Sequence, residues 1–175
     1  MGTPVTESVD TLLERVAGKL RERRLMAATA ESCTGGLVAK LMTDLPGSSA
    51  WYERGFVTYS NAAKHDLLGV ERDIIETHGA VSEATVRAMA EGAIARSDAQ
   101  VTVAISGVAG PDGGTAFNPV GSVWFAWAGA GRPTLARRYL LAGDRDGIRQ
   151  RAAILALRGL LAHLDGGALP DGADD

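Results

Sequence analysis

The chain has 175 residues, of which 46% are hydrophobic and 22% are charged, and its formal net charge is −3. This composition is typical of a single globular domain with its own hydrophobic core, and the small negative charge argues against a nucleic-acid-binding protein. No run of about 18 apolar residues occurs, so we expect no membrane-spanning helix and no membrane partner.

The first half of the chain alternates between helical and strand patterns. Apolar residues recur at helical spacing in some segments, and short β-branched or apolar runs separate them. The predicted elements are a helix over 6–24, a strand over 25–30, a helix over 34–44, a strand over 54–59, a helix over 61–68 and a short helix over 73–77. Asn61 is the predicted N-cap of the helix over 61–68.

The second half adds a long helix, three strands and a final helix. Ser82 is a good N-cap for a helix to about residue 96, and Asp144 for a last helix of roughly twenty residues. Strands are predicted over 101–106, 122–128 and 134–140, with a Gly- and Pro-rich loop after the first and a hairpin turn, GAGRP, between the other two. The tail over 166–175 is small and acidic, and we expect it to be disordered.

This order of elements predicts an α/β fold. We expect a single-domain three-layer sandwich over residues 1–165, with a mixed, mostly parallel sheet and helices on both faces. The sequence shows neither an internal repeat nor a domain linker.

The segment TAESCTGG places reactive side chains where the first predicted strand ends. Ser32 lies at the carboxyl end of that strand, where ligands bind in open α/β sheets. Thr34, Gly35 and Gly36 open the next helix, and free N–H groups there can hold a phosphate, a carboxylate or an oxyanion. The alternative is that Ser32 or Thr34 only caps the helix.

The segment TYSNAAK follows the second predicted strand and supplies a candidate base. A serine nucleophile needs a base, and Lys64 can serve if burial lowers its pKa. Tyr59 could relay a proton or hold the lysine in place. The alternative is an edge tyrosine and a solvated surface lysine. Cys33 is a rival nucleophile, because a thiol beside a helix start has a lowered pKa.

Two further segments suggest nucleotide recognition. ISGVAGPDGG, a strand that enters a glycine-rich loop, could wrap a ribose or phosphate, although a plain surface loop has the same composition. Arg145 and Arg149 are four residues apart on the last predicted helix, a spacing that suits a phosphate or carboxylate. Ion pairs with Asp144 or Asp146 are the alternative for this pair.

The cysteine and histidine content bears on location and metals. Cys33 is the only cysteine, so no internal disulfide can form, and the N-terminal MGTPVTESVD lacks the features of a secretory signal. A reducing cytoplasm is the simplest location. The three scattered histidines offer no metal-ligand spacing, so we predict no metal and no cofactor.

Five segments in order, AESCTGG, PGSSAWYERGFVTYSNAAK, HGAVSE, ISGVAGPDGG with NPVGSVWFA, and GDRD, resemble the CinA carboxy-terminal domain family. The resemblance covers about residues 8–164 and includes the stand-alone nicotinamide mononucleotide amidohydrolases. It implies hydrolysis of the carboxamide of this nucleotide to nicotinate mononucleotide and ammonia. Carried onto this sequence, it implies Ser32 as nucleophile, Lys64 as general base and Tyr59 as an assisting residue, without a metal, in a homodimer.

The predicted partner is therefore a small nucleotide substrate. The residues expected to bind it are Glu31, Thr34, Gly35, Gly36, Ser48, Asn61, Ser106, Gly107, Gly110 and Arg145. Of these, Arg145, with Ser48 and the glycine loop, is the predicted phosphate site, and Glu31 is expected to orient the lysine or a ligand hydroxyl. Two other functions stay open: a non-catalytic, regulatory nucleotide-binding module, and an amidase for another small amide.

Overall fold

The computed structural model describes residues 7–172 of the chain, which form six α-helices and five strands. The elements are α1 Val9–Arg23, β1 Ala27–Glu31, α2 Leu37–Asp44, β2 Tyr52–Val57, α3 Asn61–Leu68, α4 Arg72–His78, α5 Glu83–Ala95, β3 Val101–Gly107, β4 Ser122–Gly129, β5 Arg132–Leu140 and α6 Arg145–Asp165. Every predicted element is present with the predicted type. The predicted start of the first helix at Thr6 lies outside the described residues.

The five strands form one sheet in the order β2-β1-β3-β4-β5. β1 is parallel to both of its neighbours, β2 and β3, whereas β4 is antiparallel to both β3 and β5. The predicted mixed sheet and the hairpin are thus confirmed, and the parallel pairings are confined to the first three strands. All five residues of β1 are buried, as expected for a central strand covered on both faces.

Two hydrophobic clusters lie on opposite faces of the sheet. The larger one contains the buried faces of α1, α2 and α6, and the smaller one those of α3, α4 and α5, so the predicted layers are confirmed. Close approach of α6 depends on Gly159, where a Cβ would overlap the ring of Trp127. The indole N–H of Trp127 donates to the carbonyl of Ala156 at 3.0 Å, which satisfies the one polar group of this buried ring.

Helix caps follow the sequence with one correction. Ser82 and Asp144 accept N–H groups of their own helices, as predicted. Asn61 is not the cap of α3. Ser60 takes that place, since its hydroxyl accepts from the Ala63 N–H at 3.0 Å and its backbone is extended, as a cap requires.

The tail begins against the edge of the sheet. Its residues up to 172 are described, and the carbonyl of Pro170 accepts from the Tyr139 hydroxyl at 2.6 Å. The carbonyl of Leu169 accepts from Arg137 at 3.3 Å. Residues 173–175 lie outside the described part of the chain, and for them the expected disorder stays a prediction.

The candidate site lies at the carboxyl ends of the parallel strands β1, β2 and β3. β1 and β2 run parallel, so Ser32, which follows β1, and Tyr59, which follows β2, lie at the same end. β3 is also parallel to β1, so its last residue, Gly107, lies at the same end of the sheet. Ser48 lies in a short 3₁₀ turn, Ser48–Ala50, that precedes β2. It is therefore at the amino-terminal ends of the parallel strands, away from the candidate site.

Candidate active site

Ser32 and Lys64 meet in the structure. The Lys64 Nζ lies 3.1 Å from the Ser32 Oγ, although the two residues are 32 positions apart. Ser32 is placed by the end of β1, and Lys64 by the first turn of α3, whose start is set by the Ser60 cap. The predicted proximity of this hydroxyl and this amine is confirmed, and the alternative of a solvated surface lysine is wrong, because Lys64 is only 1% exposed.

Two carbonyl groups hold the Lys64 amine. Nζ donates to the carbonyl oxygens of Thr58 at 2.9 Å and Tyr59 at 3.1 Å. A neutral amine with two N–H groups committed in this way keeps one lone pair, and Ser32 Oγ is its third neighbour. The geometry therefore suits transfer of the Ser32 proton to Lys64.

Burial prepares Lys64 for this transfer by lowering its pKa from the usual 10.5 to about 8. The main cause is loss of hydration, which disfavours the charged amine; the nearby Cys33 opposes the shift. A lysine with a pKa of about 8 is partly neutral at physiological pH, as a general base must be.

Cys33 is unsuited to the role of nucleophile. Burial raises the pKa of its thiol to about 11, and the charge of Glu31 adds to this rise. The lowering predicted from its place beside a helix start is therefore wrong. The thiol stays protonated near neutral pH, and the thiolate is the reactive form.

Glu31 occupies the start of α2. Its side chain is fully buried, and its two carboxylate oxygens accept three backbone N–H groups, those of Gly36 at 3.0 Å, Val38 at 3.1 Å and Ala39 at 2.8 Å. These bonds satisfy donors that a helix N-terminus otherwise leaves open, and a negative charge is favourable there. Glu31 therefore fixes α2 to the end of β1 and shows no bond to the lysine it was expected to orient.

This contact corrects the predicted anion site at the helix start. The Gly36 N–H donates to Glu31, and the Gly35 N–H donates to the Ser32 carbonyl at 3.0 Å. The expectation that both glycine N–H groups are free is therefore wrong, because the anion that the helix start attracts is Glu31. Both glycines have positive φ, at 58° and 97°, which explains why α2 begins at Leu37 rather than at Thr34.

Arg145 and Arg149 of α6 bind backbone carbonyls of the site. Arg145 donates to the carbonyl of Gly110 at 2.7 Å. Arg149 donates through Nε to the Cys33 carbonyl and through Nη2 to the Thr34 carbonyl, both at 3.2 Å. Neither guanidinium has a carboxylate partner among residues 7–172. The expected alternative of local ion pairs is therefore wrong.

Two adjoining cavities open at the carboxyl ends of the parallel strands. The inner one, of about 230 Å³, is lined by Ser32, Cys33, Tyr59, Ala80, Val81, Ser106, Gly107, Ala109 and Arg145. The outer one, of about 680 Å³, is lined by Ala109, Pro111, Val120, Gly143, Asp144, Arg145, Asp146 and Arg149. The two cavities share Ala109 and Arg145, so one ligand can extend from the Ser32 hydroxyl to Arg145 and Arg149.

The structure separates some of the predicted site residues from the rest. Asn61 lines a different cleft with His65. Ser48 lies at the amino-terminal ends of the parallel strands, away from the site. Tyr59 reaches Lys64 through its backbone carbonyl, while its side chain is 62% exposed. Ser106 lines the inner cavity, and its hydroxyl donates to the carbonyl of Ala80 at 2.7 Å.

Sequence reasoning gave no role to Ala80 and Val81, which line the inner cavity, or to the bonds of Arg149. Small apolar side chains carry no chemical signal, although HGAVSE belongs to the segments that carry the family resemblance. The bonds of Arg149 join residues 115 and 116 positions apart, beyond the reach of any local pattern. Within the described residues, no group of three or more acidic, cysteine or histidine side chains could hold a metal ion, and no helix is long and apolar enough to cross a membrane.

The chain is similar to known proteins over most of its length. The profile of the CinA C-terminal domain matches residues 9–164. A nicotinamide-nucleotide amidohydrolase PncC of Escherichia coli K12 is 52% identical, with 85% of this chain and 90% of that protein covered. A competence-damage inducible protein of Symbiobacterium thermophilum is 55% identical over 89% of this chain, which spans only 39% of that relative.

Solved structures show the same fold. The crystal structure of the competence/damage inducible protein CihA from Agrobacterium tumefaciens superposes with a TM-score of 0.87 at 41% sequence identity. The match covers 93% of this chain and 99% of that one.

Proposed function

The chain belongs to the CinA C-terminal domain family, and from this membership we propose that it hydrolyses the carboxamide of nicotinamide mononucleotide to nicotinate mononucleotide and ammonia. Relatives named nicotinamide-nucleotide amidohydrolase, 49–52% identical to this chain and matched over 87–96% of their own length, support the substrate. The observation that carries the reaction is the 3.1 Å contact between Ser32 Oγ and the buried Lys64 Nζ.

In the proposed first step, Ser32 attacks the carboxamide carbon while neutral Lys64 takes the hydroxyl proton. The resulting tetrahedral oxyanion is stabilised by a backbone N–H of the turn after Ser32. Protonated Lys64 then gives its proton to the leaving nitrogen, so that ammonia departs and an acyl ester remains on Ser32.

In the second step, the same lysine acts on water. Neutral Lys64 takes a proton from a water molecule that attacks the ester carbon, and Ser32 recovers its proton as nicotinate mononucleotide leaves. The carbonyls of Thr58 and Tyr59 hold the lysine amine in place throughout, which is the assistance that this geometry supports for Tyr59.

The two cavities suit the two ends of the nucleotide. The carboxamide must reach Ser32, so the pyridine ring occupies the inner cavity beside Tyr59 and Ser106. The phosphate then lies in the outer cavity near Arg145, which forms no ion pair with a carboxylate within residues 7–172. A guanidinium offers the paired donors that phosphate oxygens accept.

The proposal includes a cytoplasmic homodimer. The free, buried thiol of Cys33 suits a reducing compartment, and closed dimers are the commonest oligomers of soluble proteins. Light scattering after gel filtration measures the mass directly. A monomer at micromolar concentration would remove the dimer from the proposal.

Ammonia release from nicotinamide mononucleotide, its riboside and nicotinamide tests the function. We expect the mononucleotide to be the best substrate, and Ser32→Ala and Lys64→Ala each to lower turnover at least about a hundredfold. Lys64→Arg should also fail, because arginine stays protonated. Lys40→Ala, which removes an exposed amine paired with Asp44, is the control and should keep full activity.

The same assay separates the alternatives. Wild-type protein that binds the mononucleotide in calorimetry without releasing ammonia would be a binding module instead. Preference for the riboside or for free nicotinamide would indicate an amidase for another small amide, and would contradict the phosphate role of Arg145.

A further inference from the structure

Ser106 is a buried polar residue in the wall of the inner cavity. It is the last but one residue of β3 and only 1% exposed, and it lines this cavity together with Ser32. The Ser32 N–H donates to the Ile105 carbonyl at 3.0 Å, which holds the ends of β1 and β3 side by side. Neighbouring strands lie about 4.8 Å apart, so Ser106 is one strand away from the nucleophile.

The two serines belong to the same face of the sheet. Side chains alternate between the faces along a strand. Ala30 and Ala104, two positions before Ser32 and Ser106, are register partners and pack in the same hydrophobic cluster. A group that is held over the Ser32 hydroxyl is therefore within reach of the Ser106 hydroxyl.

The single proton of the Ser106 hydroxyl is already used. Oγ donates to the Ala80 carbonyl at 2.7 Å, and a carbonyl oxygen only accepts, so the proton lies on this bond. Within residues 7–172 the Ala80 carbonyl has no other donor, and leaving a buried acceptor unpaired is unfavourable. Ser106 Oγ therefore offers a ligand its lone pairs, to which no group of the described chain donates.

The carbonyl groups on both sides of Ala80 are also bound by side chains. That of Gly79 accepts from the Thr85 hydroxyl at 2.7 Å, and that of Val81 accepts from the Asn118 amide at 3.1 Å. Because these bonds anchor the segment before and after Ala80, its carbonyl keeps its direction. The cavity serine therefore keeps its proton on this carbonyl and stays an acceptor.

An oxygen that can only accept distinguishes a carboxamide from groups of similar shape. The amide nitrogen carries two N–H donors, whereas a carboxylate has acceptors alone. A methyl ketone has the same shape as the amide, with a methyl group in place of the nitrogen. A site built around a substrate N–H rejects analogues that lack it, because the polar group of the site is then left unpaired.

We propose that Ser106 Oγ accepts an amide N–H of the substrate, which makes Ser106 the residue that selects a carboxamide and sets its orientation over Ser32. This inference rests on the proposed function for the identity of the amide. With its nitrogen bound to Ser106, the carboxamide presents its oxygen on the opposite side of the carbon that Ser32 attacks. Once ammonia has left, the product carboxylate faces the same lone pairs without a proton to donate, which favours its release.

The test is a cycle of protein and ligand changes in a Ser32→Ala background, in which turnover does not interfere. Calorimetry gives Kd for nicotinamide mononucleotide and for the analogue that carries a methyl ketone instead of the carboxamide. With Ser106 present, we expect the carboxamide to bind about five- to tenfold more tightly, the scale of one hydrogen bond. Ser106→Ala should bring the two ligands to within about twofold of each other.

The matched control is Thr85→Val. It removes a hydroxyl that binds the neighbouring Gly79 carbonyl, but Thr85 lines neither cavity, so the preference for the carboxamide should be unchanged. Ser106→Cys is the second variant. It keeps the size of the side chain, and its sulfur is a weak acceptor, so the preference should fall there too. Melting temperatures identify the variants that fold, and Ser106→Cys carries the comparison if Ser106→Ala does not.

Four outcomes would contradict the inference. They are equal binding of the two ligands when Ser106 is present, an unchanged preference in a folded Ser106 variant, a loss of preference in Thr85→Val as large as in Ser106→Ala, and no binding of the mononucleotide. The second would leave Ser106 only the role of holding Ala80. Failure of the proposed function gives a different result. In that case the preference depends on Ser106 but the wild-type protein releases no ammonia, so the site recognises the carboxamide without hydrolysing it.

Discussion

Turnover is expected to follow the fraction of Lys64 that is neutral. Burial lowers the pKa of this amine from 10.5 to about 8, and only the neutral form can take the Ser32 proton. With a pKa of about 8, about one molecule in ten carries neutral Lys64 at pH 7, and about nine in ten at pH 9. An exposed lysine would be neutral in only about one molecule in three thousand at pH 7.

The same shift makes Lys64 costly for stability. The folded pKa lies below the unfolded one, so the unfolded chain binds more protons between about pH 8 and 10.5. The contribution of Lys64 to the free energy of unfolding therefore rises with pH across this window and is most unfavourable below it. Two-state linkage with these values places about 3 kcal/mol of cost at pH 7, of which about 2 kcal/mol disappears by pH 9.5.

Two measurements test this reasoning. The first is kcat/KM for nicotinamide mononucleotide from pH 6 to 9.5, which should rise about tenfold between pH 6 and 7 and level off above pH 9. The second is urea unfolding of Lys64→Met and wild type. Methionine removes the buried charge but leaves the carbonyls of Thr58 and Tyr59 without their donor. The stability of the variant relative to wild type should therefore decline by about 2 kcal/mol from pH 7 to pH 9.5.

Three results would refute this account of Lys64. A kcat/KM that stays flat from pH 6 to 9 would exclude Lys64 as the titrating base. A kcat/KM that still rises in proportion to hydroxide concentration between pH 9 and 9.5 would mean that burial does not lower the pKa of Lys64. A pH-independent stability difference between the two proteins would contradict the linkage.

Three further predictions concern single substitutions at other residues of the chain. Tyr59→Phe should lower kcat less than about fivefold, since only the backbone carbonyl of this residue meets the lysine; a loss above a hundredfold would assign proton transfer to the phenol. Glu31→Gln should lower the free energy of unfolding by about 1–3 kcal/mol in urea, because three N–H groups lose a charged acceptor; an unchanged midpoint would contradict this. Gly159→Ala should cost about 1–3 kcal/mol or more, because its Cβ would overlap Trp127. Gly18→Ala, a helical position with nothing within 4 Å of the added Cβ, is its control and should stabilise the chain by up to about 1 kcal/mol, measured by the same unfolding curves.

Most of the fold could be predicted because its signals are local. Helix periodicity, strand composition and the caps Ser82 and Asp144 act over a few residues, and all of them lead to the observed elements. The placement of Ser32 and Tyr59 at one edge also follows from local order, since each comes after a strand of a parallel pair. Errors occur where neighbouring residues compete for one role, as Asn61 does with Ser60 for the cap of α3.

The chemistry of the site depends on contacts that no local pattern contains. Glu31 was predicted to orient a ligand or the lysine, yet the nearest unsatisfied donors are those of α2, and the carboxylate binds them. The bonds of Arg149 to the turn after Ser32 join segments more than a hundred residues apart.

Residue types and their order along the chain were enough to propose a serine and a lysine, to place each after a strand and to indicate the family. That the Lys64 amine lies beside the Ser32 hydroxyl and is removed from water was decided only by the tertiary structure, which brings the start of α3 to the end of β1. Hydrogen-bonding preferences are carried by neighbouring residues, whereas the hydration of a charge depends on every segment that folds around it.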